Sequence, residues 1–177
     1  MPSRRLFVIW PRYLSSLGRP ILDLSWITSN IAVSGSIPKN KHSKLRSEGI
    51  CAVVDLREED IDDAGSLATQ GIEFHHIPVK NYHAPSQSAL NQGSDWVISK
   101  LNNTPAHSKV LIHCQEGVGR SIVLTCCVLM KQGSSLQQSL MLIRNHRWGT
   151  ALRKVQLQAL IEFEATLQPD QYDNTQA

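Results

Sequence analysis

His113-Cys114-Gln115-Glu116-Gly117-Val118-Gly119-Arg120-Ser121 follows directly on the apolar run Val110-Leu111-Ile112. A cysteine and an arginine bracket five residues, two of them glycine. The apolar run has the length of a buried strand, and the glycines break it into a tight loop from which a helix starts at about Arg120. Without Cβ atoms in the way, consecutive backbone N–H groups can point inward and form a nest for an anion at that helix N-terminus. Arg120 would close the ring with a two-pronged contact that suits phosphate oxygens better than a lysine could. The same donors and the helix dipole favour thiolate over thiol at Cys114, which makes it a nucleophile at neutral pH. A nucleophile at the floor of an anion cup points to covalent phosphoryl transfer.

Outward from this loop the chain alternates strand and helix patterns. Trp26 to Gly35 reads as a strand pair around Ile31-Ala32-Val33, and Lys39 to Glu48 as a short polar helix stopped by Gly49. Ile50 to Leu56 is a continuous apolar run, as a buried parallel strand requires. Arg57 to Asp63 is a charged loop with five acids, simplest as a solvated face. A short helix through Leu67 ends at Gly71, and Ile72 to Val79 is a strand. Ala89 to Leu101 is helical, with Leu90, Trp96, Val97 and Leu101 toward the core. Lys109 to His113 is the strand that feeds the loop. Ile122 to Met130 is apolar nearly all round and should be the buried central helix. Leu136 to Arg144 and Leu152 to Leu167 complete the helices. The expected fold is α/β, a central, mostly parallel sheet flanked by helices, with the phosphate-binding loop between a strand and the central helix.

The chain has 177 residues, enough for one compact domain, and 41% apolar content supports a core. A formal charge of +3 is too small to imply nucleic-acid binding. Cys51, Cys126 and Cys127 fall in apolar runs and read as reduced core residues, which together with a catalytic thiol favours a reducing, cytoplasmic setting. No stretch approaches the roughly 20 apolar residues that span a bilayer. The first twenty residues hold Arg4, Arg5, Arg12 and Arg19 and no acid. That composition fits an organelle-targeting peptide, a membrane-surface anchor, or an arm packed on the domain through Trp10, Tyr13 and Leu14. The tail beyond Pro169 is polar and expected to be disordered.

The run from His113 to Ser121 resembles the signature of the cysteine-dependent protein tyrosine phosphatases, and more closely their compact dual-specificity branch. The resemblance extends from about Trp26 to Leu167, so the expected domains are a basic arm over 1–24, a catalytic domain over 25–168 and a tail over 169–177. It implies that Cys114 attacks phosphorus and that Arg120 holds the equatorial oxygens. Ser121 would stabilise the departing thiolate, and His113 would orient the loop and tune the thiol. Gln115, Glu116, Gly117, Val118 and Gly119 would supply the substrate-binding loop. No metal or organic cofactor is implied. Substrates would be phosphorylated proteins or small phosphomonoesters.

One departure stands out. A general acid must protonate the leaving oxygen. In the resembling family it is an aspartate four residues before a proline on an upstream loop. Four before Pro85 stands Asn81, which has no proton to give. His83 on the same loop and Glu116 within the phosphate loop are candidate replacements. If neither acts, the chain would handle only easy leaving groups or bind phosphorylated partners as a pseudophosphatase. On the last helix, Gln156 or Gln158 matches a glutamine that orients hydrolytic water in some relatives, with Gln156 preferred by its distance from Arg147-Trp148-Gly149. His75, His76, Lys80 and the basic arm keep a phospholipid or phosphoinositide substrate open, with membrane-surface contact through the arm. Glu116 and the lack of lysine in the phosphate loop argue against a polyanion. A thiol oxidoreductase of the arsenate-reductase kind would need Cys126 or Cys127 as a resolving thiol.

Overall fold

The computed structural model describes residues 22–102 and 108–167. The expected tail, and all of the basic arm except Leu22, Asp23 and Leu24, lie outside the described residues. The elements run β1 (Ser25–Trp26), β2 (Ile31–Ser34), a 3-10 turn at Lys39–Lys41 leading into α1 (His42–Ser47), β3 (Ile50–Arg57), α2 (Ala64–Thr69), β4 (Glu73–Val79), α3 (Gln87–Asn102), β5 (Lys109–His113), α4 (Arg120–Lys131), α5 (Leu136–His146) and α6 (Lys154–Leu167). The helix expected from Lys39 is split because its first turn is 3-10. Its end is where the sequence put it, at Gly49 with φ +86°.

Five strands form one sheet in the order β1-β2-β5-β3-β4, antiparallel only at the β1–β2 edge. The fold is therefore the expected α/β arrangement. The two inner parallel strands, β5 and β3, carry the continuous apolar runs because both of their faces are covered. Every residue of α4 from Arg120 to Met130 is buried, packed between α3, α6 and the sheet. This places the loop before α4 at the centre of the molecule.

β3, β4 and β5 run in the same direction, so the chain leaves all three at one edge of the sheet. Segments 58–63, 80–86 and 114–119 gather there, at the carboxyl ends of the strands, where open α/β sheets place their ligand sites. Register fixes one pairing of consequence: Asp55 of β3 lies beside His113 of β5.

Candidate active site

Cys114 is the first residue after β5 and is 3% exposed. Its Sγ accepts the Gly117 backbone N–H at 3.2 Å and lies 3.4 Å from Ser121 Oγ. Gly117 has φ +66°, and a Cβ there would collide with the Ser34 carbonyl and the Arg147 guanidinium. Only glycine fits this turn of the loop. The Gln115 carbonyl accepts the Ser36 N–H at 3.1 Å, and the buried Val118 offers its carbonyl to the Ala151 N–H at the same distance. Gly119 forms the N-cap of α4. Glu116 is half-buried, and its carboxylate makes no hydrogen bond or ion pair with the described residues.

Arg120 enters the site with 2% exposure, its guanidinium fixed on one edge. Nη1 donates to the Val79 carbonyl and to Glu59 Oε2, both at 2.7 Å, and Nη2 donates to Glu59 Oε1 at 2.6 Å. This two-pronged contact engages the Nη1–Nη2 edge, and the guanidinium also faces the Cys114 thiol. The Arg120 contact draws the Glu59 carboxyl down to about 2, so Glu59 is a carboxylate and cannot serve as an acid.

Behind the nucleophile lies a buried ionic network. Arg57 donates Nε to Asp55 Oδ1 at 2.9 Å and Nη2 to Asp55 Oδ2 at 2.8 Å, and it also reaches Asp62 and Asp60. Asp62 Oδ2 lies 3.0 Å from His113 Nε2, with Asp55 Oδ1 at 3.8 Å. Burial works against ionisation of Asp62, but the His113 ring and the Arg57 guanidinium outweigh it and hold its carboxyl below the ordinary range. Asp55, Asp62 and His113 bring their ligating atoms within 4.8 Å of one another, as a metal site would. Arg57 occupies oxygens of both aspartates, so the cluster already holds its cation.

The five-acid loop is a solvated face only in part: Glu58, Glu59, Asp60 and Asp63 are exposed and Asp62 is buried, but most of these acids are held from inside. Glu59 grips Arg120, Asp60 and Asp62 grip Arg57, and Asp63 caps α2 through the Ser66 N–H. Acids just after a buried parallel strand must lie at the sheet's carboxyl edge, and that was the available signal. Arg147 was missed altogether. It is 1% exposed, donates Nε to the Gly117 carbonyl and Nη2 to the Glu116 carbonyl at 3.1 Å, and pairs with Asp23 Oδ2 at 2.7 Å. It braces the phosphate loop from outside, and a lone arginine in a turn gives no sequence sign of that.

Asn81 sits on the loop after β4, exposed, with its Oδ1 accepting the Tyr82 N–H at 3.0 Å. Tyr82 has φ +67°, and His83 Nδ1 lies 3.0 Å from the Asn81 carbonyl. Gln156 is buried, donates Nε2 to the His83 carbonyl at 2.9 Å, and would stand 3.3 Å from a Cβ on Gly119. It joins the acid-position loop to the phosphate loop, whereas Gln158 faces Glu162 on the surface. Cys126 and Cys127 are fully buried in α4, and burial pushes the Cys126 thiol up to about 12. Neither is poised as a resolving thiol.

A buried cysteine whose sulfur accepts the Gly117 N–H, with an arginine at the start of the following helix, defines on this fold a cysteine-dependent phosphatase of the protein-tyrosine and dual-specificity type. The family described as "Polymorphic toxin system, DSP-PTPase phosphatase" matches residues 31–134, and the chain belongs to it. It is similar to the mouse dual specificity protein phosphatase 18, 25% identical over 148 residues that make up 82% of this chain and 72% of that one. It is 27% identical over 124 residues to a phosphatidylinositol 3,4,5-trisphosphate 3-phosphatase of Dictyostelium discoideum, covering 61% of this chain and 18% of that protein. Among solved structures it resembles the active form of Tk-PTP, with a TM-score of 0.73, 28% identity and coverage of 80% and 96% of the two chains.

Proposed function

We propose that the chain hydrolyses phosphomonoesters of tyrosine, serine or threonine through a phosphocysteine intermediate. The Cys114 thiolate attacks phosphorus and the P–O bond to the leaving group breaks. Arg120, held on its Nη1–Nη2 edge by Glu59 and facing the Cys114 thiol, would bind the equatorial oxygens. Water then attacks phosphorus and the S–P bond breaks, with Ser121 Oγ stabilising the departing thiolate and Gln156 orienting the water. His113, set by Asp62, would hold the thiol and loop in register. The carrying observation is the contact of Cys114 Sγ with both the Gly117 N–H and Ser121 Oγ.

With Asn81 at the acid position and Glu59 ionised, His83 is the group on that loop to which this reading gives the proton transfer. Its Nδ1–H donates to the Asn81 carbonyl, so the proton for the leaving oxygen would be the Nε2–H of the imidazolium form, which leaves the ring neutral. The thiol needs a reducing environment, which supports a cytoplasmic location.

A second reading rests on Asn81 itself: a pseudophosphatase that holds phosphorylated partners and turns them over slowly. A third, lipid phosphate as substrate, draws on His75, His76, Lys80 and the basic arm and on the Dictyostelium relative. Steady-state kinetics on p-nitrophenyl phosphate and a phosphotyrosine peptide, with Cys114→Ser as blank, separate the first two. Cys114-dependent turnover of both substrates supports the phosphatase. Tight peptide binding with turnover of the activated ester alone supports the pseudophosphatase.

A further inference from the structure

Two acid-free segments meet beside the phosphate loop. Residues 80–84 read Lys-Asn-Tyr-His-Ala and residues 147–155 read Arg-Trp-Gly-Thr-Ala-Leu-Arg-Lys-Val. The Arg153 guanidinium lies over the Tyr82 ring, 4.7 Å from its centre, and Gln156 bonds the His83 carbonyl. The second segment is anchored to the catalytic loop through Arg147 on Gly117 and through the Ala151 N–H on Val118. Together they form one lip of the catalytic mouth. On that lip Trp148 is 65% exposed, Tyr82 57% and Val155 55%. Lys80, Arg153 and Lys154 are exposed beside them, and none forms an ion pair with the described residues. The acids near the mouth are Glu59, held by Arg120, whose Nη1 also bonds the Val79 carbonyl, Asp60, held by Arg57, and the half-buried Glu116 of the phosphate loop.

Large apolar side chains left in water on neighbouring segments mark an interaction surface. Here they are an indole, a phenol and a valine set among lysine and arginine with no intervening acid. Amphipathic rings with cations suit the headgroup layer of a membrane, where the rings sit at the boundary and the cations meet anionic lipid. We propose that this lip docks the catalytic mouth on an anionic bilayer surface. The inference rests on the phosphatase reading only for which pocket the lip borders.

The test is co-sedimentation of the full chain with vesicles of phosphatidylcholine alone and of phosphatidylcholine mixed with phosphatidylserine. Binding is expected to the mixed vesicles only and should weaken with added salt. Arg153→Gln and Lys154→Gln should each weaken it about five-fold, the effect of one surface cation at an anionic leaflet. Trp148→Ser should weaken it as well. All three should keep p-nitrophenyl phosphate turnover, which shows that they fold. Cys114→Ser should bind as wild type does, so loss of turnover and loss of docking are read separately. Absence of binding to mixed vesicles overturns the proposal, as does equal binding to both kinds. So does binding insensitive to the three substitutions but lost on deleting residues 1–21, which would assign the membrane contact to the arm. Release from vesicles by an acidic phosphopeptide at constant salt would assign the lip to a protein partner instead.

Discussion

Glu59 and Arg120, 61 residues apart in the chain, meet as a two-pronged ion pair that fixes one edge of the guanidinium to which we assign phosphate binding. The pair supplies orientation, because an arginine gripped at Nη1 and Nη2 is held facing the Cys114 thiol without having to search for it. Glu59→Gln keeps the size and removes the charge. The expected result is a fall in kcat/KM of up to about 10²-fold, the scale of a misplaced contact in a reacting geometry. Cys114-dependent turnover unchanged by this substitution would show that Arg120 positions itself.

The same pair has a pH signature. Glu59 titrates near 2 in the fold against an ordinary 4.5. Its contribution to stability is therefore complete above about 4.5 and is lost as pH falls toward 2. Melting curves of wild type and Glu59→Gln should differ at neutral pH and converge through that window. A gap that persists to low pH would mean the glutamine damages packing and not charge.

The acid question turns on Asn81 and His83. If His83 supplies the proton, His83→Asn should cut phosphotyrosine-peptide turnover by about 10²–10⁴-fold while sparing p-nitrophenyl phosphate, whose leaving group needs little help. Adding Asn81→Asp to the histidine variant should restore peptide turnover. If His83→Asn is silent and Asn81→Asp alone raises the peptide rate by that factor, the wild type lacks an acid and the pseudophosphatase reading gains.

Legibility in the sequence followed the physics of local signals. The strand-loop-helix around Cys114 could be read because glycine, an apolar run and an arginine each act on their own few residues. β5 and the start of α4 stand where those signals put them. Glu59, Asp62 and Arg147 escaped because their roles depend on strands that become neighbours only in the sheet. Asp62 meets His113 because β3 pairs with β5, and Arg147 meets Asp23 across 124 residues. A charged loop looks the same in sequence whether its acids face water or a buried arginine.

Arg147 is the site where loop geometry and stability are joined. It is 1% exposed, and removing it would leave the Asp23 carboxylate and the carbonyls of Glu116 and Gly117 without their shared donor. Breaking a buried pair by deleting one partner costs about 3–5 kcal/mol. For a domain of this size that corresponds to a drop in melting temperature of about 6–20 °C. Arg147→Met should show that drop, and Arg147→Lys most of it, since one ammonium cannot reproduce the fork that spans Gly117, Glu116 and Asp23. Below its melting range Arg147→Met should also bind phosphate or vanadate more weakly than wild type, because Gly117 would no longer be held in the turn that aims its N–H at the sulfur. A variant with lowered melting temperature and unchanged oxyanion affinity would confine Arg147 to stability.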